Sequence, residues 1–391
     1  MSINRRWILP EGIEEILPDQ AWQLEHLRRQ LLDLFRTWGY ELIIPPMVEY
    51  LDSLITGLGE DLEQQTFKTV DGMNGRTLGI RPDITPQAAR IDAHRIGQEG
   101  PTRLCYAGSV LLTHPSALGG SRSPMQVGVE LFGHGGVESD IEVLSLLIES
   151  LTLTGIDEVH IDLGHVALFH GLAAAAQLSA ETEAQIFDCL QRKSLPDLQQ
   201  LLLNSSLDER YQTWFLELLA LSGEATVLDD AKRFYVNAPA SIQQALGQLE
   251  QIATKIHRRF PQVSLCIDLA ELRGYTYHTG CVFAVYVMGE GQAIAQGGRY
   301  DHIGEVFGRA RPATGFSADM KTLLMLSNQS RGEFSRVLAP DDEDPELVEM
   351  IHNLRAKGLQ VVVNLPEPVG TKECDQKIVK QNGKWKLVTN D

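Results

Sequence analysis

The sequence predicts an α+β protein: hairpin-built sheet flanked by amphipathic helices, interrupted by a helical insertion and followed by a small α/β unit. Three observations carry that expectation. First, the stretch from Leu269 to Tyr300 alternates apolar residues into glycine turns: Val282, Ala284 and Tyr286 interleave with Phe283, Val285 and Val287, and both faces are largely apolar, as in a central strand of a covered sheet. Second, residues from Val166 to Arg259 carry an almost wholly helical pattern, with an AAAAQL run and repeated Leu positions. Third, residues 331–391 pass from an amphipathic helix to a strand and a hairpin. This divides the chain into a core over 1–330, with its insertion at about 166–260, and a terminal unit over 331–391.

From the start, a proline-bounded segment, Pro10–Pro18, precedes a helix for which Asp19 is the expected N-cap. Leu24, Leu27, Leu31, Leu34, Phe35 and Trp38 share one face of it, and Gly39 ends it. ELIIPPMVEY (41–50) follows as a strand whose Pro45 and Pro46 suit an edge or a contact with a second copy. A polar hairpin from about Thr66 to Leu78 leads into GIRPDITPQAARI, where Pro82 and Pro86 bracket Asp83 and Thr85 and a helix begins near Gln87. Such a loop fixes a carboxylate and a hydroxyl, and equally serves as a plain capping turn.

Arg103–Leu112 is a strand, and a Gly/Ser/Pro-rich loop runs on to about Pro124. In Met125–Gly133, period two places Gln126, Gly128 and Glu130 on one face and Val127, Val129 and Leu131 on the other. A carboxamide and a carboxylate flanking a glycine on so apolar a strand fit a polar pocket floored by a sheet, or else a solvent-facing side. Ser139 is the expected cap of the next helix, and Glu158–Leu163 the strand after it. Beyond the hairpin a loop leads to a strand near Thr314–Ser317 and a helix to Leu326. An acidic run, Asp341–Asp344, marks the edge of the terminal unit, and Asn382-Gly383 signals a type I′ turn.

Composition excludes several classes. The 391 residues include 52 acidic and 34 basic side chains, a net charge of −18, which argues against a nucleic-acid partner. Cys105, Cys189, Cys266, Cys281 and Cys374 are far apart and never form C-x-x-C, as in a reduced cytoplasmic protein without a zinc or iron–sulfur site. His165, His170 and His257 are too scattered to suggest a metal site. Arg5 and Arg6 precede no apolar signal-peptide core, and the run near Val166–Leu178 is too short and broken to span a bilayer. The expectation is a soluble, cytoplasmic chain with no cofactor, no metal and no membrane partner.

In order, PEGIEEILP, GYELIIPPMVEY, RPDITPQAAR, CYAGSVLL with QVGVELFG, RGYTYHTGCVF, QGGRYD and ATGFSADMKTLLML resemble the class II histidyl-tRNA synthetases over roughly Trp7 to Leu326. That resemblance implies a class II aminoacyl-tRNA synthetase-like antiparallel sheet flanked by helices. It further implies a histidine pocket: Asp83, Thr85 and Gln126 at the α-amino end, Glu130 accepting from the imidazole N–H, Arg273 facing the carboxylate, and Tyr277, His278 and Tyr300 lining the walls. Asp83 is one methylene shorter than that family's usual Glu, and His278 replaces a Tyr. The nucleotide end departs further. Leu112 and His114 stand where the second class II motif supplies an Arg and a Glu, and Lys321-Thr322 where the third supplies a Glu-Arg pair. A charge-assisted bond to phosphate contributes about 1.5–3 kcal/mol, and each lost donor to developing charge costs about 10²–10³ in rate; Lys321 returns charge without the bidentate fork.

A chain with a histidine pocket, no ATP grip and no anticodon-binding domain is similar to the synthetase-like regulatory subunits of ATP phosphoribosyltransferase. That similarity implies a non-catalytic subunit with the catalytic subunit of ATP phosphoribosyltransferase and L-histidine as partners, relaying feedback in the first step of histidine biosynthesis, and self-association through the class II dimer interface. The alternative is a truncated histidyl-tRNA synthetase or other histidine-dependent ligase.

Overall fold

The computed structural model describes residues 7–55, 60–115, 120–328, 336–364 and 374–389. Residues 116–119 of the expected Gly/Ser/Pro loop, Arg5, Arg6 and the 330/331 boundary lie outside them. The chain forms two compact units, Met1–Gln329 and Ser330–Asp391.

The first unit is built on a nine-stranded sheet: β1 Glu41–Leu42, β2 Thr102–Ser109, β3 Met125–Phe132, β4 Val159–His165, β5 Ser222–Gly223, β6 Ser264–Asp268, β7 Cys281–Val287, β8 Ala295–Arg299 and β9 Ala313–Asp319. Their spatial order is β1-β2-β3-β9-β8-β7-β4-β6-β5. All neighbours are antiparallel except β1/β2 and β4/β6. Val127, Val129 and Leu131 of β3 face a core shared with Leu24, Leu27, Leu31 and Phe35 of helix Pro18–Thr37 and with Ile141, Leu144 and Ile148 of helix Val137–Leu153. The helices thus cover one face and leave the Gln126–Gly128–Glu130 face for the site.

Several local expectations change. Leu17, not Asp19, is the N-cap of the first helix: Pro18 opens it and draws the start back one residue. Gly136 caps Val137–Leu153, and Ser139 lies inside, its hydroxyl donating to the carbonyls of Gly136 and His134. ELIIPPMVEY is two short strands, because Pro45 and Pro46 offer no N–H to a ladder: β1 pairs at the sheet edge, and Val48–Tyr50 joins Phe67–Val70 and Thr77–Ile80 in a separate three-stranded sheet. Between Val166 and Arg259 lie six helices and the two-residue β5. Their core includes Phe169, Ile186, Phe215, Leu246 and Leu249.

The second unit is a four-stranded sheet in the order Gln360–Val363, Arg336–Ala339, Gln376–Gln381, Lys384–Thr389, with helix Pro345–Ala356. Val337, Leu347, Ile351, Val361 and Ile378 fill its core. Asn382 and Gly383 both take positive φ, 51° and 77°, as a type I′ turn requires.

Candidate functional site

The cleft face carries a row of register partners: Glu130 of β3 opposite Gly315 of β9, Gly315 opposite Gly298 of β8, Gly298 opposite Val282 of β7. Glycine is needed here because side chains would fill the space. A Cβ on Gly315 would collide with Glu130 Oε2, and one on Gly298 would lie 2.9 Å from His278 Nε2. The result is a cleft lined by Asp83, Thr85, Glu130, Arg273, Tyr277, His278 and Tyr300 among others. Gln126 is not on its wall but one bond behind, donating from Nε2 to Asp83 Oδ1 at 2.8 Å and accepting from Ile84 N at 2.9 Å.

Glu130 is the centre of the polar network. It is 1% exposed, accepts from the Tyr106 hydroxyl at Oε1 (3.0 Å) and from the Tyr300 hydroxyl at Oε2. Burial pushes its carboxyl up to about 8, against the opposing pull of the hydroxyls. Tyr106 also pairs with Thr85 Oγ1 at 3.1 Å, and Thr85 N donates to Asp83 Oδ1 at 2.9 Å. Pro86, at the start of helix Thr85–Ile91, fixes the loop that presents Asp83 and Thr85.

The loop before β7 closes the other side. Gly274, at φ +64°, allows the turn that brings His278 Nδ1 to within 2.9 Å of Arg273 O. Nδ1–H donates to that carbonyl, leaving the Nε2 lone pair toward the cleft; burial holds the ring down to about 4, so it stays neutral. Arg273 Nη2 donates to Tyr286 Oη at 2.5 Å and lies 3.7 Å from Glu271, so its charge is part-engaged but present at the cleft. The arrangement offers an anionic or proton-sharing acceptor at depth, polar groups at one rim and a guanidinium at the other. That suits a zwitterionic ligand with a ring N–H.

Sequence reasoning missed Tyr106, Phe283, Gln296 and Ser317. Tyr106 is opposite Gly128 in the β2/β3 register, and a Cβ on Gly128 would come within 2.6 Å of its hydroxyl. A large residue paired across a ladder with a glycine was the available signal, once the register is known.

The nucleotide end differs. Leu112 is buried and bridges Thr66, while His114 is exposed. Arg122 spends its guanidinium on Leu112 O and Glu11 O, each at 3.0 Å. Lys321 Nζ pairs with Glu14 at 3.1 Å, and Asp319 caps the helix that follows it, accepting from Lys321 N and the Thr322 hydroxyl.

The fold and this cleft define a histidyl-tRNA synthetase-like protein of class II architecture. The family profile described as Histidyl-tRNA synthetase matches residues 12–323, and the ATP phosphoribosyltransferase subunit HisZ C-terminal domain matches residues 334–388. The chain is 50% identical over 394 residues to an ATP phosphoribosyltransferase regulatory subunit of Thioalkalivibrio sulfidiphilus, covering 100% of both chains. It is 51% identical to that of Ectopseudomonas mendocina, covering 99% of each. The crystal structure of an ATP phosphoribosyltransferase regulatory subunit/histidyl-tRNA synthetase from Bacillus halodurans C superposes with a TM-score of 0.82 at 25% identity, over 93% of this chain and 94% of that one. Histidyl-tRNA synthetase from Nostoc sp. shares the fold, with a TM-score of 0.79 at 19% identity over 99% and 97%. The chain belongs to the ATP phosphoribosyltransferase regulatory subunit family.

Proposed function

We propose that this chain works as the regulatory subunit of ATP phosphoribosyltransferase by docking on and activating a separate catalytic subunit, and by relaying histidine feedback through the Glu130 cleft. One observation carries the reading. The amino-acid end is assembled around a buried carboxylate, whereas at the nucleotide end Arg122 and Lys321 are occupied by Glu11, Leu112 and Glu14. L-Histidine in the cleft places its ring N–H on Glu130, its amino group beside Asp83 and Thr85, and its carboxylate toward Arg273. Feedback then needs histidine to favour one arrangement of the complex by about 1–3 kcal/mol of differential affinity.

Self-association through the class II dimer interface has support in the exposed apolar edge at Leu42, Ile44, Met47 and Val48, with Ile44 88% exposed beside Pro45 and Pro46. Among the described residues no helix is long and apolar enough to cross a membrane; the cytoplasm is the proposed location.

Calorimetry with L-histidine on the chain and on its complex with a catalytic subunit is the test. Binding that E130Q weakens supports the sensor. No heat in either preparation overturns it, while leaving activation of the catalytic subunit, measured by rate with and without this chain, to stand or fall separately. Histidine-dependent ATP–pyrophosphate exchange by the chain alone would restore the synthetase alternative.

A further inference from the structure

Beyond the cleft, the same sheet face continues across β7 to β4 and β6, and there it holds three side chains that the histidine pocket does not use. Period two puts His160 and Asp162 on one side of β4, and the parallel register sets Cys266 of β6 opposite Asp162 and Ser264 opposite His160. An imidazole nitrogen, a carboxylate oxygen and the Cys266 sulfur lie within 4.8 Å of one another. His160 Nε2 is 3.2 Å from Asp162 Oδ1, and His160 Nδ1 is 2.9 Å from Ser264 Oγ.

Those two distances have a specific chemical meaning. Nitrogen and oxygen ligands at about 2.0–2.1 Å on a tetrahedral ion are roughly 3.3 Å apart, so the imidazole and carboxylate already stand at the edge length of such a polyhedron. Ser264 occupies the place of the partner to which a metal-bound histidine gives its other ring N–H. With Nδ1–H donating to Ser264 Oγ, Nε2 presents a lone pair to an anionic oxygen, and a cation between them resolves the repulsion. A proton on Nε2 would resolve it too, either as an imidazolium–carboxylate pair or as the other neutral tautomer, with Nε2–H donating to Asp162 and Nδ1 accepting from the Ser264 hydroxyl. Cys266 separates the alternatives: a thiol adds nothing to an ion pair but is a strong ligand for a borderline-soft cation.

We propose that His160, Asp162 and Cys266 form a binding site for a zinc-type divalent cation, with three protein ligands and one open position. The charges balance locally: a carboxylate and a thiolate neutralise the ion. Arg273 faces the Asp162 charge and also leans on Tyr286 and Glu271, so it keeps partners when the ion neutralises Asp162. The thiolate is the ligand form, so binding releases the Cys266 proton. The cysteine spacing in the sequence gave no sign of this, because the ligands come from two strands far apart in the chain.

The experiment is a Co²⁺ titration of the tag-free full chain after chelator treatment, followed by absorbance. One equivalent is expected to produce a thiolate-to-cobalt charge-transfer band with tetrahedral visible bands, and Zn²⁺ to bleach both. C266S loses the charge-transfer band, H160A and D162A weaken binding, and S264A weakens it by about 10–100-fold, with far-UV circular dichroism reporting the fold of each. Absence of the band in the wild-type chain, or its full survival in C266S, overturns the site. Should C266S not fold, protection of Cys266 from alkylation by Zn²⁺ in the wild-type chain, read by peptide mass spectrometry, decides instead: no protection overturns the proposal.

Discussion

Glu130→Gln tests the centre of the cleft with one change of atom. Burial moves the Glu130 carboxyl from its usual 4.5 to about 8, so the folded chain holds a proton that the unfolded chain releases. Because the folded value is the higher one, the stabilisation that the protonated group allows is complete below about pH 4.5 and lost as pH rises toward 8. At about 1.4 kcal/mol per pH unit, the interval from 4.5 to 7 costs the wild-type chain about 3 kcal/mol. A glutamine does not ionise and carries none of this slope, though its amide can return only one acceptor oxygen to the Tyr106 and Tyr300 hydroxyls, a loss of about 1 kcal/mol. Urea unfolding of both chains at pH 5, 6, 7 and 8 is the assay. The stability difference should move by about 2.5 kcal/mol in favour of E130Q between pH 5 and pH 7. In calorimetry the same variant should bind histidine roughly 10–150-fold more weakly, the equivalent of a lost charged hydrogen bond of about 1.5–3 kcal/mol. A stability difference that is constant with pH refutes the buried, raised carboxyl. Histidine binding within threefold of wild type refutes Glu130 as the imidazole's partner.

Three further outcomes follow from the same geometry. Histidine affinity should be highest between about pH 6.5, where free imidazole ionises, and about 8, where Glu130 does, since the complex needs one proton shared between them; calorimetry showing flat affinity from pH 5 to 9 would contradict it. Gly315→Ala places a methyl group against Glu130 Oε2 and should abolish detectable histidine binding while costing about 1–3 kcal/mol in urea unfolding. Arg299→Met removes the buried partner of Asp140, 3.0 Å away, together with donors to Ser139 and the Gly136 carbonyl, and should lower stability by about 3–5 kcal/mol, visible as a reduced denaturation midpoint.

The hairpin and the cleft strand were legible because period-two alternation and glycine turns are local signals: Cys281–Val287 and Met125–Phe132 follow the expected spans closely. Where a cap was expected, competing local chemistry won. Pro18 pre-sets φ for a helix start, and Ser139 was more useful turned back onto Gly136 O. Strand propensity in ELIIPPMVEY favours one strand, and the two N–H groups missing at Pro45 and Pro46 break it in two. The strand Arg336–Ala339, upstream of the acidic run taken as the edge of the small unit, was not anticipated. What no sequence pattern could supply is register. Glu130 with Gly315, Tyr106 with Gly128, and Asp162 with Cys266 become neighbours only when the strands are aligned.

Register also explains how a pocket could report its occupancy. The loop from Leu269 to Gly280 carries Arg273, Tyr277 and His278 to the cleft, and between them sends Tyr275 the other way, into the helical insertion. There Tyr275 stacks on His170 and Phe187 at centroid distances of 4.2 and 4.7 Å, meets Phe169 edge-on and donates its hydroxyl to Glu183. These contacts hold the loop in the conformation that presents Arg273, so a ligand entering the cleft would not have to order it. Tyr275→Ala removes that anchor, and the ordering cost then falls on the binding step. Histidine affinity should fall by more than tenfold, about 1.4 kcal/mol, although the substituted residue does not line the cleft. Tyr275→Phe keeps the ring stack and loses only the Glu183 bond, and should bind nearly as the wild type does. Equal histidine affinity in Y275A and wild type would show that the loop stands by itself, and that the insertion has no purchase on the pocket through this residue.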